Sequence, residues 1–171
     1  MMKDYQNIVL IGFMGAGKST VGRRLALELN WRFVDTDAVI EEVTGLAIST
    51  IFKRYGESRF RAEESLAVKK VCAERHCVIS TGGGTVLNPE NLDLLQKNGL
   101  VIYLFVSLED VLKRVGNSDR PLLKSSPGEV LSLWQSRQET YAKAPCTIDT
   151  TNKGVDEVVQ EIMKFLKEGV C

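Results

Sequence analysis

Gly12, Gly17, Lys18 and Ser19 stand in the stretch GFMGAGKS and fit the spacing G-x-x-x-x-G-K-S/T. Gly12, Gly15 and Gly17 let backbone N–H groups turn inward around phosphate oxygens, and a helix beginning near Lys18 adds its positive end. Lys18 supplies a mobile cation, and Ser19 offers a hydroxyl to Mg2+. The stretch follows the apolar run NIVLIGF and precedes a helical pattern, which is the strand-to-helix context that phosphate binding by such a loop requires. A ligand-free glycine turn is the plain alternative. GTPases, motors and small-molecule kinases all use this loop, so the reaction stays open. Guanine-specific GTPases carry N-K-x-D late in the chain; here Gly154 and Val155 follow Asn152 and Lys153, and the acid comes one position late. Met14 stands where adenylate-kinase-like loops carry proline, which argues against a nucleotide as phosphate acceptor.

A second group of residues falls at the ends of other apolar runs. Such ends open into the ligand crevice when the strands are parallel. In FVDTD, Asp35 and Asp37 lie two apart, and an extended chain would place them on one side at roughly 7 Å. Mg2+ takes few protein ligands, so one carboxylate beside Ser19 suffices and the other is free for an acceptor. The same acids could instead cap the next helix, since Asp37 precedes a helical pattern with Glu41 following. CVISTGGGT ends in Gly82, Gly83 and Gly84, which permit a ligand to approach the backbone. ESRFRAEE sets Arg61 and Glu64 three apart on one helix face, where the acid can orient the guanidinium, although surface helices carry such pairs routinely. Arg120 precedes Pro121 in the breaker-rich VGNSDRPLLKSSPGE, where a closing loop could bring it onto phosphate and an open one would leave it solvated.

These residues need a scaffold that brings strand ends together. The chain has 171 residues, 44% hydrophobic and 26% charged, the profile of one globular domain over 1–171. Five short apolar runs, NIVLIGF, WRFVD, CVIST, LVIYLFV and CTIDT, alternate with helical patterns over 19–29, 38–74, 89–97, 107–115, 129–143 and 155–167. This alternation predicts an α/β fold of three layers, with a five-stranded parallel sheet covered on both faces. Lys plus Arg number 22 and Asp plus Glu number 22, so no global field draws nucleic acid or an anionic membrane, and neither is expected as a partner. Cys72, Cys77, Cys146 and Cys171 lack paired metal-ligand spacing and His76 is the sole histidine, so reduced structural thiols are expected. The N-terminal apolar stretch is too short for a signal core or a membrane span, which predicts a soluble cytoplasmic protein.

GFMGAGKST, FVDTD, GESRFRAEE, STGGG, RPLL and RQETY occur in the order and at a spacing similar to those of shikimate kinases, and the chain resembles that P-loop family over nearly its full length. The resemblance implies a fold of the nucleoside monophosphate kinase type, with strand order 2-3-1-4-5, a lid at about 116–128 and a substrate-binding helical region at about 37–64. It implies transfer of the γ-phosphate of ATP to the 3-hydroxyl of shikimate, in aromatic amino acid biosynthesis, by a protein expected to be monomeric. By the same resemblance Gly15, Ala16, Gly17, Lys18, Ser19 and Thr20 hold ATP, and Ser19 and Asp35 serve Mg2+. Asp37 hydrogen-bonds the acceptor hydroxyl and could take its proton. Arg61, Arg137 and the amides around Gly83, within Gly82 to Gly84, hold shikimate, with both arginines on its carboxylate. Arg120 matches a lid arginine that reaches the phosphates, Arg114 one that stacks on adenine, and Lys153 falls in the adenine loop. Arginine forks suit a carboxylate and Asp37 suits a hydroxyl donor. A gluconate kinase-like or other small-metabolite kinase is the alternative, and beyond it a non-catalytic nucleotide-binding P-loop protein. Arg61, Gly83 and Arg137 argue against the first, and intact Lys18, Ser19, Asp35, Asp37 and Arg120 against the second.

Overall fold

The computed structural model describes residues 5–115 and 126–169. Five apolar runs form strands β1 (Asn7–Ile11), β2 (Arg32–Asp35), β3 (Cys77–Ser80), β4 (Leu100–Phe105) and β5 (Cys146–Asp149). All pair in parallel, in the order β2-β3-β1-β4-β5. The three inner strands are buried almost end to end, whereas the edge strand β5 alternates buried and exposed residues. Continuous apolar runs inside and alternation at an edge are what a sheet covered on both faces demands.

Helices α1 (Lys18–Leu29), α2 (Thr36–Thr44), α3 (Ile48–Cys72), α4 (Pro89–Asn98), α5 (Leu108–Val115), α6 (Pro127–Tyr141) and α7 (Val155–Glu168) connect and follow the strands. The crossover through α1 runs from β1 toward the β2 edge, while those through α3, α4 and α6 run the other way across the sheet. Right-handed crossovers therefore put α1 on one face and α3, α4 and α6 on the other. Contacts of α7 with α1 and of α3 with α4 agree. Leu10, Ile79, Ile102 and Leu104 of the sheet and Leu25, Leu95 and Ile162 of the helices are fully buried and form the centre of the core.

The single helical block expected over 38–74 is divided. Gly45, at φ 67°, ends α2, and Gly56, at φ 82° and ψ 176°, breaks α3 internally. Both values lie where glycine alone is unstrained, so the breaks are written in residue type but hidden from a reading of apolar periodicity. Helix α6 begins at Pro127, two residues before the expected start, because Ser126 and Glu129 form a reciprocal capping box with proline in the first turn. Cys72 and Cys77 are buried free thiols as expected, but Cys146 is disulfide-bonded. Thiol pairing depends on distance in the fold, which spacing along the chain does not give.

At the amino end of the sheet, Asn7 is fully buried and joins three elements. Its Nδ2 donates to the carbonyls of Glu74 at 2.9 Å and Asn98 at 3.2 Å, and its Oδ1 accepts from the amide of Cys77 at 3.0 Å. Asn7→Ala would leave these backbone groups buried without partners, so a loss of about 2–4 kcal/mol in urea unfolding is expected. Kinetic constants should stay at parental values, since the loop at Gly12 lies beyond the opposite end of β1.

Candidate active site

The phosphate loop leaves β1 at Gly12, whose φ is 145°; a Cβ there would lie 2.5 Å from the carbonyl oxygen of Leu104 on the neighbouring strand. Only glycine permits this turn, which swings the loop over the sheet edge. Lys18 Nζ donates to the carbonyls of Gly12 at 2.7 Å and Phe13 at 3.0 Å, so the lysine folds back along the loop. Gly17, at φ 88°, precedes α1, which has neither a side-chain cap nor an acidic residue in its first turn. Ala16 is buried, Thr20 is exposed, and the first-turn amides of α1 have no intrahelical partner. The positive end of the helix thus faces the loop.

Strand register aligns the next groups. Ser80 pairs with Leu10 on one side and Asp35 on the other, so the carboxyl ends of β1, β3 and β2 lie level. Ser19 Oγ donates to Asp35 Oδ2 at 2.9 Å and lies 3.3 Å from Ser80 Oγ. The second oxygen of Asp35 accepts from the Asp37 amide at 2.9 Å and caps α2. This corrects the expectation of an extended FVDTD. The strand stops at Asp35 because its carboxylate starts the helix, and Asp37 lies in the first helical turn. The helix-capping reading therefore holds for Asp35, through the oxygen that takes the Asp37 amide, while its other oxygen meets the Ser19 hydroxyl. A serine hydroxyl beside one carboxylate oxygen is a sparse, hard-oxygen donor set of the kind Mg2+ accepts. Among the described residues no group of three or more His, Cys, Asp or Glu gathers as a denser metal site.

The three glycines after β3 each meet a different charged side chain. A Cβ on Gly82 would lie 2.9 Å from Asp37 Oδ1, one on Gly83 2.9 Å from Arg137 Nη1, and one on Gly84 2.6 Å from Arg61 Nη1. All three side chains thus reach one bare stretch of backbone beside the phosphate loop. Glu64, only 1% exposed, accepts from Arg61 Nη1 at 2.8 Å through one oxygen and from Thr85 Oγ1 at 2.7 Å through the other. Glu57 also pairs with Arg61 at 3.3 Å. Asp37 Oδ1 is buried without a hydrogen-bond partner. Burial, then the neighbouring carboxylates of Asp35 and Glu64, push the Asp37 carboxyl up to about 6, against the pull of Lys18. On α6, Arg137 lies one turn before Tyr141, whose hydroxyl donates to the Gly83 carbonyl at 2.6 Å.

On the other side of the loop, Arg114 donates to the carbonyls of Gly15 at 2.9 Å and Thr150 at 3.0 Å and pairs with Asp110 at 3.2 Å. It ties the phosphate loop to the turn after β5, where the Asn152 amide also donates to Asp110. Lys153 belongs to this turn, but its amine pairs with Glu161 of α7 at 2.7 Å. Arg120 and most of the expected lid lie outside the described residues. Ser80, Thr85, Phe13 and Tyr141 were not singled out from the sequence as site residues. Tyr141 had a readable signal, the four-residue spacing from Arg137 in RQETY, and Thr85 directly follows the glycines; Ser80 and Phe13 had none.

A five-stranded parallel sheet in this order, with a G-x-x-x-x-G-K-S loop after its central strand and acids and arginines around it, defines a kinase of the P-loop class. A sequence model of the family described as shikimate kinase matches residues 14–167. A shikimate kinase of Geobacter sulfurreducens is 48% identical over 168 residues, covering 96% of this chain and 93% of the relative. Among solved structures, a shikimate kinase from Acinetobacter baumannii in complex with shikimate superposes with a TM-score of 0.91 at 34% identity, covering 96% of this chain and 94% of that one. Shikimate kinase from Aquifex aeolicus superposes with a TM-score of 0.86 at 38% identity, covering 95% and 97%. The chain belongs to the shikimate kinase family and is an ATP-dependent kinase. No helix among the described residues is long and apolar enough to cross a membrane.

The raised Asp37 carboxyl has a consequence for stability. Its folded pKa, about 6, exceeds the ordinary 3.8, so between these values the folded protein binds more protons than the unfolded chain. Stability therefore falls as pH rises through this window, and above it the ionised acid is a burden. Asp37→Asn is expected to raise unfolding free energy by about 1–3 kcal/mol at pH 8, with the gain shrinking toward pH 4. Urea titrations of both proteins at the two pH values check this.

Proposed function

We propose that this protein transfers the γ-phosphate of ATP to the 3-hydroxyl of shikimate, giving shikimate 3-phosphate and ADP, in the route to aromatic amino acids. The observation that carries the reading is the approach of Asp37, Arg137 and Arg61 to Gly82, Gly83 and Gly84 beside the phosphate loop. Two guanidinium groups and one acid fit a small polyol bearing one carboxylate. In this reading the carboxylate binds Arg61 and Arg137, and the reacting hydroxyl donates to the buried, partnerless Oδ1 of Asp37. Asp37 orients that hydroxyl and takes its proton as the bond to phosphorus forms. Gly15 to Thr20 supply amides to the phosphates, Lys18 follows the developing charge, and Arg120 closes on it from the lid; positioning and charge neutralisation carry such a transfer. Ser19 and Asp35 would hold Mg2+, which when bound neutralises phosphate charge. Arg114, joined to Gly15 and Thr150, borders the adenine, with Lys153 in the same turn. Exclusion of water by closure keeps ATP from hydrolysis.

A coupled ADP-release assay with shikimate, gluconate and nucleoside monophosphates tests the acceptor; turnover of gluconate without shikimate would sink the proposal. Asp37→Asn is expected to lower kcat at least about a hundredfold while ATP binding stays nearly parental. An unchanged kcat would exclude Asp37 as base or essential positioning group. Arg61→Ala is expected to act mainly on the shikimate KM, and a KM within error of the parent would remove Arg61 from the site.

A further inference from the structure

We infer that the Phe13 ring and the Tyr141 hydroxyl form a seat that fixes the Arg137 guanidinium without a protein carboxylate on it, leaving the N–H donors not shared with Tyr141 open to the acceptor's carboxylate. The inference rests on the reading of Arg137 as a carboxylate anchor. Arg137 is 7% exposed and its Nε is buried without a hydrogen-bond partner. Among the described residues it makes no ion pair with an acid, whereas Arg61 has both Glu57 and Glu64. A buried cation needs stabilisation from somewhere. A protein carboxylate would give it, but by occupying the planar fork that an incoming carboxylate must use. An aromatic face attracts the cation through its quadrupole and leaves the donor edge free. The Phe13 ring lies in that position, with its centroid 5.6 Å from Arg137 Cζ.

Tyr141 fixes the other side. A Cβ on Gly83 would lie 2.9 Å from Arg137 Nη1 and 3.7 Å from the Tyr141 hydroxyl, so both groups converge on one peptide. The hydroxyl donates to the Gly83 carbonyl at 2.6 Å and accepts from Arg137; burial pushes it up to about 12 against the charge and hydrogen bond of Arg137, so it stays protonated. Tyr103 packs against the Tyr141 ring at 5.1 Å and is itself held by Gln138. Phe13 also belongs to the phosphate loop, and its carbonyl accepts from Lys18 Nζ at 3.0 Å. One residue therefore touches both the cation of the nucleotide loop and the arginine that faces the acceptor. Phe13 and Tyr141 are positioning residues that act through Arg137.

Steady-state kinetics with shikimate and its uncharged carboxamide separate the seat from general packing. The parent enzyme is expected to favour the carboxylate at least about tenfold in KM, as a charged hydrogen-bonded pair should give. Replacing Phe13 by mono-, di- and trifluorinated phenylalanine keeps its shape and drains the ring face. The carboxylate KM should rise stepwise, by about three- to tenfold at trifluorination, with the carboxamide KM within twofold of the parent. An equal rise for both acceptors, or no rise, overturns the role of Phe13. Tyr141→Phe should raise the carboxylate KM without moving the ATP KM, and an unchanged carboxylate KM removes Tyr141 from the seat. A parent that does not distinguish the two acceptors overturns the anchoring role of Arg137 itself, and the seat with it, a result separable from the loss of graded dependence alone.

Discussion

Three successive peptide units without Cβ atoms, Gly82 to Gly84, set the distance at which Asp37, Arg137 and Arg61 can stand from the phosphate loop. Everything around them serves that close approach. The sheet order puts β3 between β1 and β2, so the glycines emerge between the phosphate loop and the acids. Thr36, wholly buried, accepts from the Gly82 amide at 3.2 Å, and Tyr141 holds the Gly83 carbonyl. The bare backbone is thereby fixed at successive points, and the three charged side chains close in on it.

The same arrangement explains how a chain without net charge can meet anionic reactants. Cations and acids are sorted locally at one edge of the sheet. Arg61 is accompanied by two carboxylates, Arg137 by the Phe13 ring and the Tyr141 hydroxyl, and Lys18 by carbonyls. Each environment compensates its charge to a different degree, and among the described residues Asp37 and Arg137 are the ones with unsatisfied buried side-chain atoms. Unpaired buried polar groups are costly, and they persist where function uses them.

What the sequence disclosed follows the range of the interactions involved. The phosphate loop was legible because strand, turn and helix are adjacent in the chain, and glycine at Gly12 and Gly17 answers a local backbone demand. Strand count was legible from apolar runs, but strand order came only through family resemblance, since pairing of β1 with β3 and β4 joins residues far apart in sequence. A cap on the next helix was legible as one reading of the two acids, but that Asp35 rather than Asp37 makes it, ending the strand before Thr36, is a choice between strand and helix that alternation cannot reveal. Gly82 to Gly84 announced close approach without naming what approaches. Phe13, the last residue of the apolar run NIVLIGF, carries no sign in sequence of its meeting with Arg137, which α6 brings from far along the chain.

The clamp at Asn7 gives the molecule a second, chemically inert pole. It secures the amino ends of β1 and β3 and the end of α4 with neutral amide hydrogen bonds, while every charged group of the site gathers at the carboxyl ends. Rigidity and reactivity thus occupy opposite ends of the same strands. A lineage adapting to a hotter or colder habitat can therefore adjust one pole by mutation and leave the pole where the charged groups meet the glycines as it is.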